Sequence, residues 1–172
     1  MKLALGADHA GWRYKDQIAE ILRKGGHEVQ DFGTHGDVAV DYPEYGYAVG
    51  LAVASGRAER GIVVCGSSIG ISIAANKVPG VRCALVTEPY GCELARRHND
   101  ANVIALSERL MGWEMIERLL EVFLTTAFES GGRHSHRVAE LEFTPAEKAK
   151  AEKALASGAV TGAETPKELL GK

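Results

Sequence analysis

A chain of 172 residues, 45% of them hydrophobic, is long enough to fold as one domain around a buried core. Its net charge of −3, with no concentrated basic surface before the last third, excludes a nucleic acid or a bilayer as the main partner. The opening MKLALGADHAG has too short an apolar run, ended too soon by Asp8, for a signal peptide or a membrane span. Three cysteines, an odd number beside no secretory signal, point to reduced thiols in a cytoplasm rather than to a disulfide framework.

Taken in chain order, short apolar runs alternate with amphipathic ones. A strand over 3–6 is followed by a helix over 12–24, a strand over 28–32, a helix over 45–55 and a strand over 61–65. A helix over 71–76, a strand over 82–86, a helix over 91–98 and a strand over 103–106 come next, and a longer helix runs from 113 to about 128. Strands that are each followed by a helix imply right-handed crossovers and a parallel sheet covered on both faces. The expected architecture is a three-layer α/β/α sandwich on a five-stranded parallel sheet, Rossmann-like in its winding. In such folds ligands gather at the carboxyl ends of the strands. Asp8 and His9, then 65–70, then 88–90 are expected there.

From Thr144 the composition turns to Ala, Lys and Glu with few large apolar residues. Thr144, Pro145 and Glu147 read as a helix start and Gly158 as its stop. The chain is thus expected to divide into a main domain over 1–143 and a helical, partly flexible extension over 144–172.

The stretch VVCGSSIGISIAANK, residues 63–77, carries the chemistry. Gly66 and Gly70 permit positive φ and close approach, and the unpaired first-turn amides of the helix that follows can hold an anion. The loop lacks the lysine of a P-loop, so by itself it reads equally as a tight turn with a buried cysteine. A helix N-terminus beside Cys65 would lower its thiol pKa from ~8.5 toward neutrality. Cys83 reads as core filler, and Cys92 as a helix-face residue without chemical consequence. Asp8, His9, Cys65 and His98 all map to one edge in this reading, whereas His27 and His35 need no function. Arg133 and Arg137, four apart, share a face if helical and suit a phosphate or carboxylate; a solvated basic turn is the plainer alternative. His134 and His136 without carboxylate or thiolate partners make a poor metal site.

GADHAGWRYK, the Asp41-Tyr42-Pro43 turn, CGSSIGISIAANK, EPYGCELARRHNDANVIAL and GGRHSHRV, in this order between residues 1 and 138, resemble the type B ribose-5-phosphate isomerase family, which includes galactose-6-phosphate isomerase subunits. The resemblance implies that Cys65 carries a proton between two substrate carbons. It also implies that His98 opens the sugar ring, with Asp8 near the ring oxygen. The backbone amides of 66–70, those of Gly66, Ser68 and Gly70 among them, with the catalytic Ser67 nearby, would form an anion hole for a cis-enediolate. His9, Arg109, Arg133, His134 and Arg137 would bind phosphate, and Tyr42 and Asn99 the sugar. No metal or organic cofactor is implied. Members lacking the cysteine carry a glutamate at the start of the next helix; with Cys65 and Ile71 this chain follows the cysteine version. Ser67 replaces the family's usual threonine and keeps the hydroxyl. A homodimer, or a dimer of dimers, is implied, with a small sugar phosphate as the other partner and neither nucleic acid nor membrane. The apolar 113–128 helix offers either a partner face or a thick core. Ribose 5-phosphate is the leading substrate. Allose or galactose 6-phosphate, and a non-catalytic sugar-phosphate-binding module, are the alternatives.

Overall fold

The computed structural model describes residues 1–142 and 144–156. Its elements are β1 (Lys2–Ala7), α1 (Trp12–Lys24), β2 (Glu28–Asp31), α2 (Tyr42–Ala54), β3 (Arg60–Cys65), α3 (Ile69–Asn76), β4 (Cys83–Leu85), α4 (Pro89–Asn99), β5 (Val103–Ser107), α5 (Trp113–Thr125), α6 (Gly132–Glu140) and α7 (Pro145–Ala156). The chain falls into two compact units, Met1–Ser135 and His136–Lys172. Among the described residues no helix is long and apolar enough to cross a membrane.

In the first unit the five strands form one sheet in the order β2-β1-β3-β5-β4, parallel at every pairing. Alternation along the strands sends successive side chains to opposite faces. Leu3, Leu5, Ile62, Val64, Ile104 and Leu106 pack with Ile18 and Leu22 of α1, Cys92 of α4 and Leu119 and Phe123 of α5. Ala4, Val63, Cys65, Val103 and Ala105 face the other way, onto Val49 and Val53 of α2 and Ile71 and Ala75 of α3. This is the three-layer sandwich anticipated from the sequence, and α5 buries Ile116, Leu119, Leu120, Val122 and Phe123 in a thick core. α5 stops at Thr125 rather than near Phe128.

Cys83, at the start of β4, packs against the α2–α3 side of the core as the filler read from the sequence, and Cys92 is a helix-face residue as read there, on a face that is fully buried. The burial follows from helical phase: Cys92 lies on the face of α4 that meets α5. Both α2 and α3 begin earlier than expected, at Tyr42 and Ile69, so Ser68 becomes the residue capping α3.

In the second unit Thr144 accepts from the amide of Glu147 through Oγ1 while its own amide donates to Glu147 Oε2, a reciprocal cap that starts α7 where the sequence places it. Gly158, read as the stop of this helix, lies outside the described residues.

Candidate active site

β3 delivers Cys65 at its last residue, and only Gly66, Ser67 and Ser68 separate it from α3. The exit of β5 brackets this turn. Ser107 Oγ donates to the Gly66 carbonyl at 2.5 Å, Arg109 N to the same carbonyl at 3.2 Å, and Glu108 N to the Cys65 carbonyl at 3.1 Å. The Arg109 side chain lies against Gly66. Neither Gly66 nor Gly70 takes a positive φ, contrary to the expectation from sequence; Ser68 does, at φ 64°.

The parallel register that pairs Ala7 with Val64 brings the next residue of β1's exit, Asp8, beside Cys65. Cys65 Sγ donates to Asp8 Oδ2 at 2.9 Å, and Asp8 Oδ1 accepts from Ala10 N at 2.9 Å. Both side chains are buried, at 8% and 4% exposure. Burial pushes the Cys65 thiol pKa up, and the hydrogen bond to Asp8 and that carboxylate's negative charge push the same way; the amides of Ser67 and Ser68, which point at the sulfur, pull it down. The direction is opposite to the lowering expected from a helix N-terminus. Burial of the thiol, joined by a carboxylate within hydrogen-bonding distance, outweighs two peptide dipoles.

α1 approaches the same turn through Gly11, where a Cβ would lie 2.5 Å from the Val64 carbonyl carbon and 2.7 Å from Cys65 N. His9 Nδ1 accepts from Val40 N at 3.2 Å, which fixes the ring beside the segment leading to α2. Tyr42 opens α2, and its ring covers Gly70 so closely that a Cβ there would meet two ring carbons at 2.5 Å. Asp8, His9, Tyr42, Cys65, Gly66, Ser67, Ser68, Gly70 and Arg109 therefore cluster at the carboxyl edge of the sheet.

His98, Asn99, Arg133 and His134 do not. A crossover helix returns antiparallel to its strand, so the end of α4 arrives where the next strand begins. Asp100–Asn102 lead straight into β5, and Asn102 O accepts from Gly61 N at the start of β3. The five residues of β5, spanning roughly 13 Å at ~3.3 Å per step, separate this edge from Cys65. The expectation that His98 shares an edge with Cys65 is corrected here. His98 stacks on His134, ring centroids 4.1 Å apart and planes within 3°. Glu129 Oε2 lies 3.8 Å from Nε2 of each, and Arg133 Nε donates to His134 Nε2 at 3.3 Å. Arg97 hydrogen-bonds Glu129 and holds its carboxyl below the usual carboxylate range. Glu129 was not singled out from the sequence, where a glutamate before a Ser-Gly-Gly turn carries no signal. Asn99 is exposed, its carbonyl accepting from Arg82 Nε at 3.0 Å. Arg137 is exposed on α6, in the second unit.

Among the described residues two groups bring three candidate metal ligands together: His98, Glu129 and His134, and Asp16, Asp31 and His35. In each a protein cation already engages the carboxylate. Arg97 takes Glu129 in the first; in the second the fully buried Lys15 Nζ lies 2.6 Å from Asp16, 2.7 Å from Asp31 and 3.2 Å from His35 Nδ1. Neither donor set fits a metal ion well.

Residues 3–141 match the family described as Ribose/Galactose Isomerase, and the chain belongs to that family. It is 44% identical over 137 residues to ribose-5-phosphate isomerase B of Escherichia coli, covering 80% of this chain and 91% of that protein. To galactose-6-phosphate isomerase subunit LacB of Clostridium acetobutylicum it is 40% identical over 129 residues, 75% of each chain. The structure of ribose-5-phosphate isomerase B from Clostridium thermocellum superposes with a TM-score of 0.80 at 50% identity, over 82% of this chain and 95% of that one. A Mycoplasma genitalium ribose-5-phosphate isomerase B with bound ribulose-5-phosphate superposes with a TM-score of 0.77 at 35% identity, over 81% and 93%.

Proposed function

We propose that this chain is a cofactor-independent aldose–ketose isomerase of the cytoplasm that interconverts ribose 5-phosphate and ribulose 5-phosphate. The observation that carries the reading is the Cys65–Asp8 pair, a thiol and a carboxylate joined at 2.9 Å with two peptide amides directed at the sulfur. Proton transfer between adjacent carbons needs one base that can reach both and a donor set for the oxygen that becomes negative. Cys65 passes its proton to Asp8, and the thiolate takes the C2 proton of the open-chain aldose. The C2–H electron pair forms the C1–C2 double bond, and the carbonyl oxygen becomes the oxyanion, held by the amides of 66–70. Cys65 then returns the proton to C1, O2 becomes the ketone as its proton passes to O1, and Asp8 gives the first proton back to the Cys65 thiolate, which restores the starting pair. Nothing is oxidised overall, and no external acceptor is needed.

The residues assigned to ring opening and to part of the phosphate grip lie at the other sheet edge, so one chain cannot assemble the whole set. A homodimer resolves this by placing His98, Arg133 and His134 of a second copy over the Cys65 edge of the first. The surface next to that edge is suited to such a partner: Tyr42, Tyr47 and Leu51 of α2 and Ile69 and Ile73 of α3 are large apolar side chains left exposed. His9 and Arg109 would meet the phosphate from the first copy. Arg137 is assigned to the same phosphate by the resemblance alone.

The 40% identity to a galactose-6-phosphate isomerase subunit supports a second reading, in which the sugar is a six-carbon phosphate. An aldose–ketose assay of the purified chain across five- and six-carbon sugar phosphates separates the two. Turnover of ribose 5-phosphate above all others is the expected result; turnover of none would discard both.

A further inference from the structure

We infer that Glu129 is the positioning residue of ring opening: its carboxylate holds His98 with the Nε2 proton turned toward it, so that Nδ1 is the atom that moves the proton of the sugar ring. This deepens the isomerase reading and rests on it, and on the ring-opening role that reading gives His98.

Glu129 is fixed in place from two sides. Its amide donates to the Arg97 carbonyl at 3.0 Å, and its Oε1 accepts from Arg97 Nε at 2.6 Å. Arg97 is itself tied to Glu93, one turn back on α4, at 2.7 Å, and it immediately precedes His98. With Oε1 engaged by the guanidinium, Oε2 is left to the imidazoles, 3.8 Å from Nε2 of His98 and 3.8 Å from Nε2 of His134.

Arg133 decides between the two rings. Its Nε donates to His134 Nε2 at 3.3 Å, which makes that nitrogen an acceptor and takes it out of competition for Glu129. His98 Nε2 is then the nitrogen that turns a proton to Oε2. A separation of 3.8 Å is ion-pair reach rather than a hydrogen bond, and catalytic contacts of this kind shorten as the reacting complex forms. The stacked ring of His134 holds the plane of His98, and Glu129 settles which nitrogen faces which way. Because a partner on one ring nitrogen sets the tautomer at the other, Nδ1 keeps a lone pair and points away from Glu129.

That tautomer suits the step. Opening an aldofuranose moves one proton between two oxygens on the same carbon. Nδ1 takes the proton from O1, the O1–H electron pair becomes the C1–O1 double bond, the C1–O4 bond breaks onto O4, and Nδ1 gives the proton to O4. The imidazole is unchanged overall, and nothing is oxidised. Between the two transfers it is a cation, faced by a carboxyl that the hydrogen bond from Arg97 holds below the usual carboxylate range and therefore ionised.

The test compares Glu129→Ala and Glu129→Gln with the wild-type chain. The kcat for ribose 5-phosphate is expected to fall at least about 10-fold in Glu129→Ala and less in Glu129→Gln, whose amide oxygen can still accept from Nε2; this is part of the roughly 10²- to 10⁴-fold that general acid–base catalysis contributes. Ribulose 5-phosphate, with its O5 esterified, has no ring to open, so deuterium uptake from D2O at its C1 should stay within about threefold of wild type in both variants. Acetate should restore part of the lost rate to Glu129→Ala and leave wild type unchanged. Melting temperatures should stay within about 3 °C of wild type, since the Arg97–Glu129 pair is 40% and 42% exposed. A kcat within about twofold of wild type in Glu129→Ala overturns the inference. So does deuterium uptake that falls as far as kcat, because Glu129 would then be serving the Cys65 step or the fold. A wild-type chain that neither turns over ribose 5-phosphate nor exchanges the C1 hydrogen of ribulose 5-phosphate discards the isomerase reading instead.

Discussion

Asp8 and Cys65, 57 residues apart in the chain, are joined by a hydrogen bond from Sγ to Oδ2 across 2.9 Å. Because the carboxylate both accepts the thiol proton and repels the thiolate, its neutral analogue should release the thiol. Asp8→Asn is expected to move the pH midpoint of iodoacetamide alkylation of Cys65 to lower pH while reducing isomerase turnover. An unchanged or higher midpoint would mean that burial alone sets the thiol pKa.

Cys65→Ala removes the proposed proton carrier and little else. Turnover should drop about 10³-fold or more, within the range for a lost general base, while binding of ribose 5-phosphate measured by calorimetry stays within a few-fold of wild type. Wild-type turnover in this variant would reassign the base.

Placement of the two residue sets at opposite sheet edges gives a sharper test. Cys65→Ala and His98→Ala should each be inactive, yet mixing them in equal amounts under conditions that allow subunit exchange should restore about a quarter of wild-type activity: half the dimers are mixed, and each holds one intact site. Additive, near-zero activity after exchange would rule out a site built from two copies.

Gly11 lies where main chains nearly touch. A methyl group at this position would meet the Val64 carbonyl carbon at 2.5 Å and its oxygen at 2.6 Å, and backbone cannot rotate away as a side chain can. Gly11→Ala is expected to cost about 2–3 kcal/mol in urea unfolding, at the upper end for overpacking, and to lower kcat through the displaced end of β3. Wild-type stability would show that α1 can slide.

Two further thiols should set the alkaline limit of stability. Burial pushes Cys83 up to about 12 and Cys92 up to about 11, whereas an unfolded chain ionises cysteine near the ordinary value of ~8.5. Below that value both states hold these protons, and the contribution is fully present. As pH rises past it, the unfolded chain releases protons the folded chain retains, so each thiol removes about 1.4 kcal/mol of stability per pH unit until its folded pKa is reached. Between pH 8.5 and 10, Cys92→Ala should lose about 2 kcal/mol less than wild type. Equal losses would show that other groups control the alkaline limb.

The strands were legible in the sequence because their β-branched runs are short, buried on both faces and punctuated by glycine and polar turns, and observed and expected strands share their centres. Helix starts were less so. Pro43 and Pro89 let α2 and α4 begin before their apolar periodicity does, at Tyr42 and Pro89. Within the site, Cys65, Asp8 and the 66–70 turn could be found from the residues themselves. The direction of the Cys65 pKa could not, since it depends on how deeply the thiol is buried and on β1 lying beside β3, neither of which a local pattern encodes. His98 was misplaced for a related reason: a residue at the end of a crossover helix belongs to the opposite rim from one at its start, however near the two stand in sequence. Arg109 entered only through resemblance, and Glu129 not at all.

The span of β5 between the sulfur of Cys65 and the paired rings of His98 and His134 sets a condition on when such a protein can work. If the site is built from two copies, as proposed, a completely folded protomer is still inert, because folding then finishes only half of each reaction chamber. On this arrangement specific activity becomes a function of dilution, switching off as association fails well before any strand or helix is lost.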